Sequence, residues 1–209
     1  MKKLQDLTLK EFLEKTAANE AVPGGGSTAA LTAAIAAALG EMVANLTIGK
    51  KHYVGVEERM RELATELHAC RSRFVNDIDR DAEAYRLVME AYRLPKEDEA
   101  AKRLRSDRIG EAMETAARVP MEVAEKAFEM LHLLAEAIGK GNCNAVTDGL
   151  VGAMACRTAI MGALLNVRIN LGGIRDDLLV QALASKCDRL EEETTAMEQE
   201  LIALVKKQL

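Results

Sequence analysis

Ser27–Thr47 reads STAALTAAIAAALGEMVANLT, and Glu41 is its single charged residue. Strands favour β-branched and aromatic side chains, whereas alanine is the best helix former, so the stretch is expected to be a helix. Leu31, Ile35, Leu39, Met42 and Leu46 recur at helical spacing as a stripe of large residues. Ala29, Ala33, Ala36, Ala37, Gly40 and Ala44 fall largely on the other side. A helix that is apolar all round is expected to be buried, with its small side admitting a close neighbouring backbone. Its length also invites a membrane reading, but alanine and threonine are too weakly apolar for a good span. A bundle helix with no membrane partner is the expectation.

The rest of the chain agrees. Aromatics make up 3% of the 209 residues, tryptophan is absent and there are 3 prolines, which points to an all-α protein. No linker or repeat divides the sequence, so residues 1–209 are expected to form one domain, a bundle of about seven helices around one long central helix. Thr8-x-x-Glu11 is a capping box for a short first helix ending before Pro23. Ser27 is the expected N-cap of the second. The long helix runs from about Val56 to Leu94 and stops at Pro95. A charged helix follows to Val119, and Pro120 is expected to restart another that ends near Gly139–Gly141. Asn142–Asp148 reads as a loop into a helix that stops at Gly172-Gly173, and the last helix runs from Asp176 to about Lys207.

The net charge of −5, without a basic face carrying aromatic platforms, argues against nucleic acid as a partner. The 4 cysteines lack C-x-x-C spacing and read as reduced thiols in a cytoplasmic protein. The start, MKKLQDLTLKEF, has no apolar run behind its lysines and is not expected to be a signal peptide.

Counting in sevens along the long helix from Met60 gives Leu67, Phe74, Asp81 and Val88. The companion row is Leu63, Cys70, Asp77, Ala84 and Ala91. Asp77 and Asp81 therefore fall in an apolar seam, one turn apart, with Tyr85 on the adjoining face. Burial raises a carboxyl group toward the range useful for proton transfer, unless arginines or helix N-termini satisfy it; both readings stand at this point. Gly152, Ala155, Ala159, Gly162 and Ala163 form a small-residue face that continues into Asn166 and Asn170. Those two amides serve either interhelical packing or a heterocycle needing donors and acceptors.

Gly24-Gly25-Gly26 fails the tests for a nucleotide loop: no Gly-Lys-Ser/Thr closes it and no strand precedes it. It leaves free N–H groups at a helix start, with room for a polar or anionic ligand. Lys50 and Lys51, beyond the far end of the same helix, read either as a solvated basic turn or as part of a ligand site. His52, His68 and His132 have no metal-binding spacing, so no metal is expected.

Seven segments in order resemble the cyclodeaminase/cyclohydrolase family of folate one-carbon enzymes: PGGGSTAAL, MVANLTIGKKHY (Met42–Tyr53), D-x-E-A-Y (Asp81–Tyr85), AYRLPK (Ala91–Lys96), ARVPMEVA (Ala117–Ala124), GNCNAVTDGLVGA (Gly141–Ala153) and NVRINLGGIRD (Asn166–Asp176). The resemblance implies an all-α enzyme, a homodimer or higher oligomer, acting on a tetrahydrofolate derivative as substrate with no prosthetic group. It implies closure of 5-formiminotetrahydrofolate to 5,10-methenyltetrahydrofolate with release of ammonia, as in histidine degradation. The related alternative is hydrolysis of the methenyl compound to 10-formyltetrahydrofolate. A separate formiminotransferase would then act beside this chain. By the same resemblance Asp81 is the general acid/base and Asp148 the second candidate, for the pterin edge. Asn142, Asn166 and Asn170 position the ring, Gly24, Gly25, Gly26, Ser27 and Tyr53 complete the substrate site, and Lys50 and Lys51 hold the glutamate tail. The rivals are a non-catalytic helical assembly protein and a folate carrier.

Overall fold

The computed structural model describes residues 2–208, and among them every regular element is helical. After a short 3-10 turn at Leu4–Asp6 come α1 (Leu9–Thr16), α2 (Gly25–Thr47), α3 (Glu57–Tyr92), α4 (Glu99–Lys140), α5 (Val146–Leu171) and α6 (Asp177–Lys206). Two further 3-10 turns, Lys51–Val56 and Cys143–Ala145, lead into α3 and α5. Helices α2, α3, α4 and α5 close into a ring in which each packs on its two neighbours, and α6 lies outside against α5.

The capping box starts α1 as the sequence predicts: the Thr8 hydroxyl accepts from the Glu11 N–H while the Glu11 carboxylate accepts from the Thr8 N–H. The seam of α3 holds except at Asp81, which is only partly buried: Met60, Leu63, Leu67, Cys70, Phe74, Asp77, Ala84, Val88 and Ala91 are all buried. Asp77 is wholly buried and is held by Arg73 at 3.2 Å and Arg80 at 2.6 Å. Both arginines also reach Glu122 of α4, so the group ties α3 to α4.

Four expectations need correction. First, α2 begins at Gly25, with Gly24 and not Ser27 as its N-cap, so Gly25 and Gly26 are helical rather than loop residues. Second, Pro120 does not restart a helix: α4 is continuous from Glu99 to Lys140, which leaves six α-helices instead of seven. Proline removes the N–H that would bond to the carbonyl four residues earlier, that of Ala116. The Asn170 side chain supplies the missing donor, with its Nδ2 at 2.9 Å from the Ala116 carbonyl. Third, Thr147 and Asp148 lie in the first turn of α5 rather than in a loop. Fourth, α2 is not buried all round. Its small residues Ala29, Ala33, Ala36, Ala37 and Ala44 face the core, while Ile35 and Leu46 are 47% and 43% exposed. Close packing decides this: a Cβ on Gly40 would lie 2.5 Å from Leu134 Cδ2 and 3.1 Å from Leu67 Cδ1, so only small side chains fit between α2 and its neighbours.

The segments Gly25–Thr47 and Cys143–Leu171 are long and apolar enough to cross a membrane by composition, yet 50% and 44% of their most apolar windows are buried within the bundle. Their apolarity thus serves the ring of helices.

The Asp77 group gives a stability prediction. Asp77→Ala removes the shared acceptor of two half-exposed arginines, and should lower unfolding stability in urea by about 1–3 kcal/mol while helical content persists. A variant as stable as the wild type would show that the ion pairs contribute nothing.

Candidate functional site

The candidate site lies at the N-terminal end of α2, where α3 and α5 pass it. Asp81 sits on α3 between Ile78, which belongs to the small core under the N-terminal segment, and Ala84, which belongs to a separate core between the distal halves of α3 and α4. A cavity of about 410 Å³ opens here, lined by the Gly24–Gly26 backbone, Asp81, Tyr85, Tyr92, Asn166 and Asn170 among others. That volume falls within the range of small-molecule sites.

The glycines answer to Asp81. A Cβ on Gly26 would lie 2.0 Å from Asp81 Oδ1 and 2.5 Å from its Cγ. The carboxyl group therefore occupies the place where any other residue would have its side chain. None of the three glycines has a positive φ; Gly49, at 74°, is the glycine that does among the described residues. Close approach, and not unusual backbone conformation, is what Gly26 provides. Gly24 offers no side-chain cap to α2, so Asp81 meets the start of the helix from another element. The Ser27 hydroxyl lies 2.9 Å from Asp81 Oδ2.

Burial raises the Asp81 carboxyl above its ordinary range, and hydrogen bonds from the Ser27 hydroxyl and N–H oppose this without cancelling it. Among the residues lining the cavity Asp81 is the lone carboxyl, and no lysine, arginine or histidine lines it. A carboxyl group raised by burial, in a cavity that no cation lines, is suited to proton transfer.

Asn166 and Asn170 reach the cavity from α5, Asn170 with both amide hydrogens used and Asn166 with one of its two. Asn166 Nδ2 donates to the Gly162 carbonyl at 2.8 Å. Asn170 Nδ2 donates to the Ala116 and Asn166 carbonyls, at 2.9 and 2.7 Å. All these partners are carbonyls, so the amide oxygens must point away from them. Neither amide oxygen accepts a hydrogen bond from another described residue. The site thus offers a ligand two amide acceptors, one amide hydrogen of Asn166 and one carboxyl group, between the rings of Tyr85 and Tyr92 and the largely exposed Ile169.

The remaining candidates gather at the opposite end of α2, a helix about 35 Å long at 1.5 Å per residue. Asn142 fastens its turn there: its N–H donates to Thr47 Oγ1 at 2.8 Å and its Nδ2 to the Leu46 carbonyl at 3.0 Å. The Tyr53 hydroxyl accepts from the Cys143 N–H at 2.9 Å. Lys50, Lys51 and Asp148 are exposed in the same region. Within one chain the fold therefore joins Gly24, Gly25, Gly26, Ser27, Asp81, Asn166 and Asn170, and keeps Lys50, Lys51, Tyr53, Asn142 and Asp148 apart from them.

Sequence reasoning missed Tyr92 and Met113, which also line the cavity. Tyr92 was within reach, because Asp81, Tyr85, Val88 and Tyr92 share one face of a helix at spacings of four, three and four. Met113 comes from α4, and no pattern along α3 or α4 announces it.

A ring of four helices with a carboxyl group at a glycine-rich helix start, in a cavity that no cation lines, defines the class. The chain belongs to the formiminotransferase-cyclodeaminase family, whose model matches residues 8–189. It is similar to a methenyltetrahydrofolate cyclohydrolase of Methylorubrum extorquens, 34% identical over 97% of both chains. It is 33% identical to mouse formimidoyltransferase-cyclodeaminase, covering 91% of this chain and 35% of that one. The fold matches the crystal structure of a formiminotetrahydrofolate cyclodeaminase from Thermotoga maritima with a TM-score of 0.81 and 32% identity, over 99% of this chain and 98% of the other.

The contact between Gly26 and Asp81 can be tested directly. Gly26→Ala forces the carboxyl group out of its place, because the clash falls on the end of a side chain and not on backbone. Turnover of a tetrahydrofolate substrate should fall about a hundredfold or more, while the melting temperature changes little. Full activity in Gly26→Ala would mean that the position of the carboxyl group is unimportant.

Proposed function

We propose that this chain is a formimidoyltetrahydrofolate cyclodeaminase, which closes 5-formiminotetrahydrofolate to 5,10-methenyltetrahydrofolate and releases ammonia. The observation that carries the reading is the Asp81 carboxyl group, set against Gly26 in a cavity that no cation lines and raised by burial. In this reaction N10 attacks the formimino carbon and makes a tetrahedral centre. The amino group must then take up a proton to leave as ammonia, and overall one proton is consumed. Protonated Asp81 supplies it. The amide oxygens of Asn166 and Asn170 meet the donor edge of the pterin, and Tyr85 and Tyr92 flank the flat ring. Nothing in this sequence of steps needs a prosthetic group or a metal.

A second reading has support from the relative of similar length in Methylorubrum extorquens, named a cyclohydrolase. There the same carboxylate would act as a base, taking a proton from the water that attacks the methenyl carbon. A raised carboxyl group serves either reaction, and the first reading is supported by the Thermotoga maritima relative of similar length, named a cyclodeaminase. Following the methenyl chromophore separates the two. Its appearance from 5-formiminotetrahydrofolate with release of ammonia supports the first reading. Its accelerated loss from the methenyl compound alone supports the second, and silence in both from folded protein returns the assembly or carrier reading.

Asp81→Asn should lower turnover about a hundredfold or more. It should also raise the melting temperature at neutral pH. Burial raises the folded-state value above the unfolded one, so ionising Asp81 opposes folding. That opposition is absent below about pH 4, grows as the pH rises above the unfolded value, and levels off once folded Asp81 has ionised. The stabilisation should accordingly vanish toward acid pH. An Asn variant with full activity would falsify the assignment of Asp81.

The same proposal includes a cytoplasmic homodimer built on the outer faces of α2 and α5. Ile35 and Leu46 of α2 and Val151, Met154 and Leu165 of α5 stand 43–63% exposed on helices that pack on each other. Exposed apolar residues on two adjoining helices suit a face that a partner covers. An antiparallel pairing brings Lys50 and Lys51 of one copy toward the glycine end of the other, where the anionic tail of a folate leaves the cavity. A separate formiminotransferase would then make the substrate. Light scattering at micromolar concentration should give twice the chain mass or more; a clean monomer removes the shared site.

A further inference from the structure

The Ser27 side chain is wholly buried, and its single hydroxyl hydrogen faces two acceptors. The Ile78 carbonyl lies 3.0 Å from Oγ, and Asp81 Oδ2 lies 2.9 Å from it. A hydroxyl group donates once, so it serves one of them at a time. When Asp81 is ionised, donation to the carboxylate is favoured because the bond is charge-assisted. When Asp81 is protonated, its own O–H can donate to Ser27 Oγ, and the serine hydrogen turns to the Ile78 carbonyl. That carbonyl lies inside α3, where the backbone ladder already serves it, so nothing is orphaned in either state.

We propose that Ser27 is a positioning residue whose hydroxyl turns between the Ile78 carbonyl and Asp81 as that carboxyl group loses and regains its proton. The inference rests on the reading that Asp81 carries the proton of the reaction. In the acid step the proton moves from the Asp81 carboxyl oxygen to the departing amine nitrogen. The serine keeps its own hydrogen and only rotates it. The new negative charge is thus met by a rotation about one bond, with no movement of α2 or α3.

Among the described residues Ser27 is the one hydroxyl group hydrogen-bonded to Asp81. From α2 the neighbours are Gly25 and Gly26, from α5 Asn166 and Asn170, from α4 Met113 and Ala116, and from the N-terminal segment Ala21 and Val22; none of these titrates. On α3 the groups one turn away are Tyr85 and Asp77, and Asp77 is matched by Arg73 and Arg80. The hydrogen bonds from Ser27 are what hold the Asp81 carboxyl down against burial.

The test reads the Asp81 carboxyl directly, by carbon-13 NMR titration of the ligand-free protein, with Asp81→Asn used to assign the resonance. In Ser27→Ala the midpoint should move up by about one pH unit, because the stronger of the two bonds lost is the one to the carboxylate. The pH profile of kcat/KM should move with it, and kcat should fall about tenfold with KM within about twofold. Ser27→Cys, a weaker donor of similar size, should give a midpoint between the two and provides the comparison if the alanine variant does not fold. A wild-type midpoint in either folded variant overturns the proposal. Because the titration is read without substrate, failure of the folate reading would leave its outcome intact and be seen separately, as absent turnover in the wild type.

Discussion

The placement of the Asp81 carboxyl group against the bare backbone of Gly26 is the constraint around which the site is arranged. It requires glycine at that position, since the carboxyl group fills the volume of a side chain. It requires α3 to pass the first turn of α2 closely, which the small inner face of α2 allows. It also leaves the acid buried, with the start of a helix and one serine as its polar company. Burial and the helix start pull in opposite directions on its charge, and burial prevails. A group of that kind is poor as a structural ion and suited to exchanging a proton.

The two carboxyl groups of the α3 seam show how neighbours decide chemistry. Asp77 and Asp81 are one turn apart in the same helix and fall in the two companion rows of one seam. Asp77 meets two arginines that also hold Glu122, and so becomes a link between α3 and α4. Asp81 meets no cation and faces a cavity. The asparagines of α5 join these themes. Asn170 repairs the gap that Pro120 leaves in α4, and in doing so commits its donors and turns its acceptor to the ligand side. One side chain thus keeps a long helix continuous and helps to shape the site.

Much of this was legible beforehand because helical periodicity is a local property. The alanine-rich α2, the capping box of α1, the seam of α3 and the pairing of Asn166 with Asn170 follow from spacings within single segments. The site was legible in part for the same reason: Asp81 is a charged residue in an apolar row. What periodicity does not carry is which face of a helix meets which neighbour. Thus α2 turned its small side inward and left Ile35 and Leu46 outside, the reverse of the usual burial of large residues, because its neighbours approach too closely for larger side chains.

By itself the sequence determined the all-helical class, the register of α3 and the two carboxyl groups worth attention, since each depends on residues a few positions apart. The arginines that hold Asp77 stand on α3 itself, four residues before and three after it, whereas only the tertiary structure decided that Asp81 faces a cavity and the start of α2, since those groups come from distant segments. Tertiary contacts alone carried α4 through Pro120, with a donor from fifty residues further along the chain. They also brought Asp81, Asn166 and Asn170 to the glycine end of α2 and Asn142 to its lysine end, because the packing of distant segments, and no spacing within one of them, sets which helix ends meet.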